Sequence, residues 1–142
     1  MNVQIILIIL ILALFLTISS YKNNEIKKDD KLDIIKSNLS LIDSRANKIK
    51  FFSHPTEAYT LNKKEIHMCV HKPNGSYYSD NTLMYIALHE LAHAVIPFDT
   101  STHPPIFEHI FQQFIERAIL LNLYNPSVPF PDEYCGKKLS YY

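Results

Sequence analysis

A chain of 142 residues with 14 basic and 14 acidic side chains has no net charge, which excludes the cationic field of a nucleic-acid-binding protein, so no nucleic-acid partner is expected. Its 47% hydrophobic and 12% aromatic residues suffice for one packed domain plus an appendage. Two cysteines, Cys69 and Cys135, give no disulfide framework; they could form one bridge or stay two buried thiols, and they set no redox compartment.

Val3 to Ile18 is nearly unbroken hydrocarbon, a length at the lower edge for a spanning helix and also that of a signal-peptide core. Residues 1–20 are read as a single-pass membrane anchor, with a cleaved signal and secretion as the alternative, since Thr17, Ser19 and Ser20 would permit cleavage. Lys22, Lys27, Lys28 and Lys31 follow the run and none precedes it, which by the positive-inside rule leaves the C-terminal domain on the cytoplasmic side. Two sequons, Asn38-Leu39-Ser40 and Asn74-Gly75-Ser76, would suit the opposite side. Residues 21–29 are polar and read as a linker, and 30–142 as the functional domain.

From Asp30 to Arg45, Leu32, Ile35, Leu39 and Ile42 recur at helical spacing between polar residues, which predicts an amphipathic helix covering the core. The period then becomes two. Ile49 to Phe52 suits a short strand, and Glu57–Thr60 with Glu65–His71 reads as a hairpin around Leu61 to Lys64. In its second arm Ile66, Met68 and Val70 share one face; Glu65, His67, Cys69 and His71 share the other, taken as half exposed. His67, Cys69 and His71 on one strand diverge too far to close a second metal site. Asp80 or Asn81 offers an N-cap to the next helix.

That helix carries His89-Glu90-Leu91-Ala92-His93, an H-E-x-x-H motif. Residues four apart lie one turn apart on the same helix face, so both imidazoles can reach one zinc ion, with Glu90 beside a metal-bound water as general base. Leu83, Ile86, Ala87, Leu91, Ala94 and Val95 make the surroundings apolar, and Pro97 ends the helix. On such a face, two histidines and a glutamate without a metal would be costly. A catalytic zinc takes three protein ligands. The candidates after His93 are His103, Glu108, His109 and Glu116; Ile96 and Asp99 occupy the positions where a metzincin needs Gly and His. Ile106 to Leu121 reads as a helix whose core stripe (Phe107, Ile110, Phe111, Phe114, Ala118) leaves Glu116 on the solvent side. His103 lies in a loop, free to turn back, with Pro104-Pro105 fixing the start of that helix, and is the expected third ligand.

The sequence Leu88 to His93, a short loop, then His103-Pro104-Pro105-Ile106-Phe107 resembles the WLM/SprT-like group of minimal zincins. It is most similar to the small metallopeptidase-like proteins of large DNA viruses, which also fit at Ala58 to Lys64, Asn74 to Tyr78 and Tyr134-Cys135-Gly136. The resemblance spans roughly residues 30 to 140. It implies His89, His93 and His103 as zinc ligands, Glu90 as catalytic acid/base, and a helix-strand-helix core without a Met-turn. The nine residues between His93 and His103 exceed the gap of cellular relatives. Those relatives act on DNA-attached proteins, but the absence of a basic tail here does not carry that substrate over.

Pro126, Pro129 and Pro131 impose an extended stretch from Asn125 to Asp132. Beyond it, packing is the expected role of Tyr134, Tyr141 and Tyr142, although one could serve an oxyanion, and Cys135 is expected as a small buried hydrophobe rather than an inhibitory ligand. The expectation is an α+β minimal zincin-like domain, ordered as helix, small antiparallel sheet, H-E-x-x-H helix and C-terminal helix. It would act as a zinc-dependent endopeptidase on a protein or peptide substrate, held at a membrane by its N-terminal segment, with Glu65–His71 as the edge for substrate pairing. A non-catalytic zinc-binding module tethered to the membrane is the alternative, against which Glu90 argues, because a structural zinc needs no base. An intramembrane protease is disfavoured because Leu83 to Phe98 is too short to span.

Overall fold

The computed structural model describes the backbone of residues 2–23 and 29–139, with the side chains of the first segment described as far as residue 17. Helix α1, Val3–Asn23, keeps the side chains of 2–17 exposed along its described length. Among the described residues no helix is long and apolar enough to cross a membrane. The expected anchor and linker fall partly on residues outside the described ones.

Helix α2, Asp30–Ile42, buries Leu32, Ile35, Leu39 and Ile42, the stripe its period requires. Asp29 caps it by accepting a bond from Lys31 N. It stops short of Arg45 because Asp43 takes extended geometry and caps a following 3₁₀ turn, Ser44–Lys48, accepting from Arg45 N. Strand β1, Lys50–Ser53, follows, then β2, Tyr59–Leu61, and β3, Glu65–Met68. The hairpin turn between β2 and β3 places Asn62 (φ 49°) and Lys63 (φ 58°) in the left-handed region, the geometry of a type I′ connection, and Lys64 N donates to Leu61 O at 3.0 Å.

Two expectations about the sheet are corrected. It is mixed rather than antiparallel: its order is β1-β3-β2, with β1 parallel to β3 (Phe51 opposite Ile66) and β2 antiparallel to it (Tyr59 opposite His67). Strand β3 is therefore central and, among the described residues, β2 is an edge, the reverse of the expected role for Glu65–His71. The reason is burial. Ile66 and Met68 are fully buried, and such a strand is stabilised by neighbours on both sides.

Helix α3, Asp80–Val95, is the axis of the core, with Leu83, Ile86, Ala87, Leu88, Leu91 and Ala92 all inaccessible. It packs on β2 and β3, and on α2 and α4. At roughly 1.5–3 kcal/mol per fully buried leucine, its three leucines alone contribute several kcal/mol. Its N-cap is Ser79, whose hydroxyl accepts from Thr82 N, rather than Asp80 or Asn81. Those two are used elsewhere: Asp80 pairs with Lys31, and Asn81 Oδ1 accepts from Asn125 N. Helix α4, Pro105–Leu120, buries Phe107, Phe114 and Ala118.

The chain then runs without regular structure past its prolines to a small hairpin of β4, Glu133–Tyr134, and β5, Lys137–Lys138. Cys135, at the turn, is disulfide-bonded to Cys69, with Cα atoms 5.9 Å apart. Of the two alternatives open to this pair, the structure takes the single bridge, and it corrects the half-exposed position expected for Cys69. Cys69 is 1% exposed and fastens the C-terminal hairpin to the end of the sheet.

Candidate metal centre

Helix α3 supplies His89 and His93 from one face, four residues apart. Ile96 ends the helix in extended geometry ahead of Pro97, and the chain turns through residues 97–104 before Pro105 opens α4. Two devices shape that turn. Lys63 Nζ donates to His93 O at 3.0 Å and lies 3.6 Å from Asp99, tying the β2–β3 turn to the end of α3. Thr102 N donates to Thr100 Oγ1 at 3.0 Å, a local hydroxyl turn.

The loop thus brings His103 back over α3. One nitrogen from each of His89, His93 and His103 lies within 4.8 Å of the others. Phe107, one turn into α4 and 1% exposed, sets its ring 5.0, 4.4 and 4.5 Å from those of His89, His93 and His103. Its bulk limits where the imidazoles can go. His89 is buried, His93 half-buried and His103 exposed. Such a graded set gives an interior anchor and an open side toward solvent.

Burial, with neighbouring imidazoles adding to it, pushes His89 down to about 3 and His93 to about 4. Both rings are therefore neutral at pH 7, with lone pairs available to a cation. The donor set suits a metal ion such as zinc, which takes neutral imidazoles.

Glu90, 3% exposed, lies against β2. Thr60 Oγ1 is 2.8 Å from both Glu90 O and Glu90 Oε2. Burial raises the carboxyl to about 7, with the Thr60 hydroxyl pulling the other way. A hydroxyl has one hydrogen and two lone pairs. Ionised Glu90 accepts that hydrogen; protonated Glu90 can donate to Oγ1 while Thr60 donates to the Glu90 carbonyl. The contact serves both protonation states. His89, Glu90, His93 and His103 line one cleft of about 780 Å³ together with Thr60, Asp99 and Lys137.

The other sequence candidates stay outside this cluster. Glu108, His109 and Glu116 are exposed on α4; His109 meets Gln113, and Glu116 accepts from Gln112. His67 is stacked between Phe52 and Tyr59, Cys69 is in the disulfide and His71 stacks on Tyr77, so no second metal group forms there. Tyr134 is fully buried with its hydroxyl donating to Cys69 O at 2.8 Å, so it serves packing and not an oxyanion. Tyr141 and Tyr142 lie outside the described residues. Sequence reasoning missed Thr60, Lys63 and the ring of Phe107 as shapers of the site. Phe107 carried a signal through its position in the His-Pro-x-x-Phe run, and Thr60 and Lys63 only through lying in the Ala58 to Lys64 segment of the resemblance.

Three viral proteins are similar to the chain. An uncharacterized protein of Invertebrate iridescent virus 6 (136R) is 36% identical over 102 residues, 68% of this chain and 56% of the relative. One of Invertebrate iridescent virus 3 (042R) is 45% identical over 81 residues, 56% of this chain and 50% of the relative. One of Acanthamoeba polyphaga mimivirus (R325) is 37% identical over 84 residues, covering 56% and 41%. The chain spans about half the length of these relatives. No protein-family model and no solved structure matches it.

Proposed function

We propose that this chain is a zinc-dependent endopeptidase of the minimal zincin type, held at a membrane by residues 1–20. The observation that carries the reading is the convergence of three imidazole nitrogens within 4.8 Å of one another, beside a buried glutamate in the same cleft. A zinc ion on His89, His93 and His103 would supply Lewis acidity, lowering the pKa of a coordinated water and polarising the scissile carbonyl. Glu90 accepts a proton from the attacking water and returns it to the leaving amine, one carboxyl serving first as general base and then as general acid. Thr60 holds Oε2 in place through either transfer. An extended peptide would pair with β2, the sheet edge that also lines the cleft through Tyr59 and Thr60.

The test is Glu90→Gln, assayed for bound zinc and for cleavage of a degenerate peptide library. The proposal expects zinc content unchanged and turnover lost. Retained hydrolysis would remove Glu90 from the mechanism. Zinc binding without hydrolysis in the wild type would leave a non-catalytic zinc module.

A further inference from the structure

Outside the metal cleft, the loop between His71 and Tyr77 is built around a second chemical feature. The two residues form an isolated antiparallel bridge, and everything between them is exposed. At its tip Gly75 takes φ +85°, with Gly75 N donating to Lys72 O at 2.9 Å. Asn74 Oδ1 accepts two bonds from the residue two places on, from Ser76 N at 3.0 Å and from Ser76 Oγ at 2.7 Å. Asn74-Gly75-Ser76 is thus a sequon whose hydroxyl already donates to the asparagine amide oxygen, in an exposed turn.

The other sequon differs. Asn38 lies within α2, half-buried, and Ser40 Oγ donates to Lys36 O and contacts Asn47 Oδ1.

A second observation bears on the compartment. The Cys69–Cys135 bridge closes a separation of 66 residues and is buried, the two cysteines being 1% and 8% exposed. The groups around it are matched to the bridged geometry, since Tyr134 Oη donates to Cys69 O and Cys135 N donates to Tyr78 Oη. Buried bridges of this kind persist in oxidising compartments and are rare in reducing ones. Third, the apolar run from Val3 to Ile18 is of the type that routes a chain to a translocation channel.

We propose that the domain matures on the lumenal, oxidising side of a membrane and carries an N-linked glycan on Asn74. This reverses the side expected from the lysines after the apolar run. In the transfer, Asn74 Nδ2 forms a bond to the anomeric carbon of a lipid-pyrophosphate-linked oligosaccharide. The carbon–oxygen bond to pyrophosphate breaks, the lipid pyrophosphate leaves with the electron pair, and one amide proton passes to a base on the transferase. The bridge forms as the two thiols give two electrons and two protons to an oxidase disulfide of the same compartment. None of residues 72–76 lines the metal cleft, so the glycan leaves it open.

The test is synthesis of the full chain with endoplasmic-reticulum-derived microsomes. Wild type, Asn38→Gln and Ser76→Thr should each show one slower, protease-protected band that peptide N-glycosidase collapses. Asn74→Gln and Ser76→Ala should lack it. Asn74 and Ser76 lie in an exposed turn outside the core, so their substitution leaves the fold in place and the band reports the sequon alone. The denatured, unreduced product should take up no maleimide label. Absence of a slower wild-type band, a band that survives Asn74→Gln, or maleimide uptake at both cysteines would each overturn the proposal.

Discussion

Replacing Glu90 by glutamine exchanges an ionisable carboxyl for a neutral amide of the same shape at a position 3% exposed. Burial raises the Glu90 carboxyl from 4.5 to about 7. Between those pH values the folded, metal-free protein keeps a proton that the unfolded chain has released. The unfolded state binds fewer protons there, so stability falls as pH rises through the window and levels off above it. At about 1.4 kcal/mol per tenfold change, the gap amounts to roughly 3 kcal/mol. Glutamine does not titrate, and its amide can still donate to Thr60 Oγ1. His89 and His93, pushed down to about 3 and 4, make both proteins less stable as pH falls below 6.5, and this contribution cancels between them. Chelator-treated Glu90→Gln should therefore match wild type near pH 4.5 and exceed it by roughly 2–3 kcal/mol at about pH 8. Urea unfolding across the range measures this. A difference that does not change with pH would refute the burial argument.

Thr60→Val removes the hydroxyl that meets Glu90 O and Oε2, and should cost about 1 kcal/mol in urea unfolding. Its zinc content should stay at the wild-type level while turnover drops. Reduction of the Cys69–Cys135 bridge, which closes a 66-residue separation, should lower stability by about 4 kcal/mol on the loop-entropy model, read as a drop in Tm with added dithiol. Tyr134→Phe strands the buried Cys69 carbonyl and should cost about 1–3 kcal/mol by the same unfolding measurement, with zinc content unaffected.

Where a feature depends on nearby residues, it could be read directly. The stripe Leu32, Ile35, Leu39 and Ile42, the four-residue spacing of His89 and His93, and the proline that ends α3 are all local, and each has its structural counterpart. His103 was legible because two prolines restrict where its loop can go. The parallel pairing of β1 with β3 was not legible, because Lys50 meets Glu65 across an intervening strand and no local pattern encodes that choice. The cap of α3 is Ser79, one residue before the two candidates offered by the sequence, Asp80 and Asn81. Tertiary partners, Lys31 for Asp80 and the backbone of Asn125 for Asn81, left Ser79 to cap. The disulfide depends on where a distant hairpin lands. Thr60 looks like any strand threonine until β2 is laid against α3.

The measurement that bears most directly on the account is metal content of the purified full chain in detergent, wild type beside His103→Ala. The account predicts about one zinc per wild-type chain, lost or greatly weakened in the variant, as a three-ligand site requires. Equal zinc in both proteins would contradict His103 as a ligand, and a folded wild type without affinity for zinc would contradict the metal centre itself.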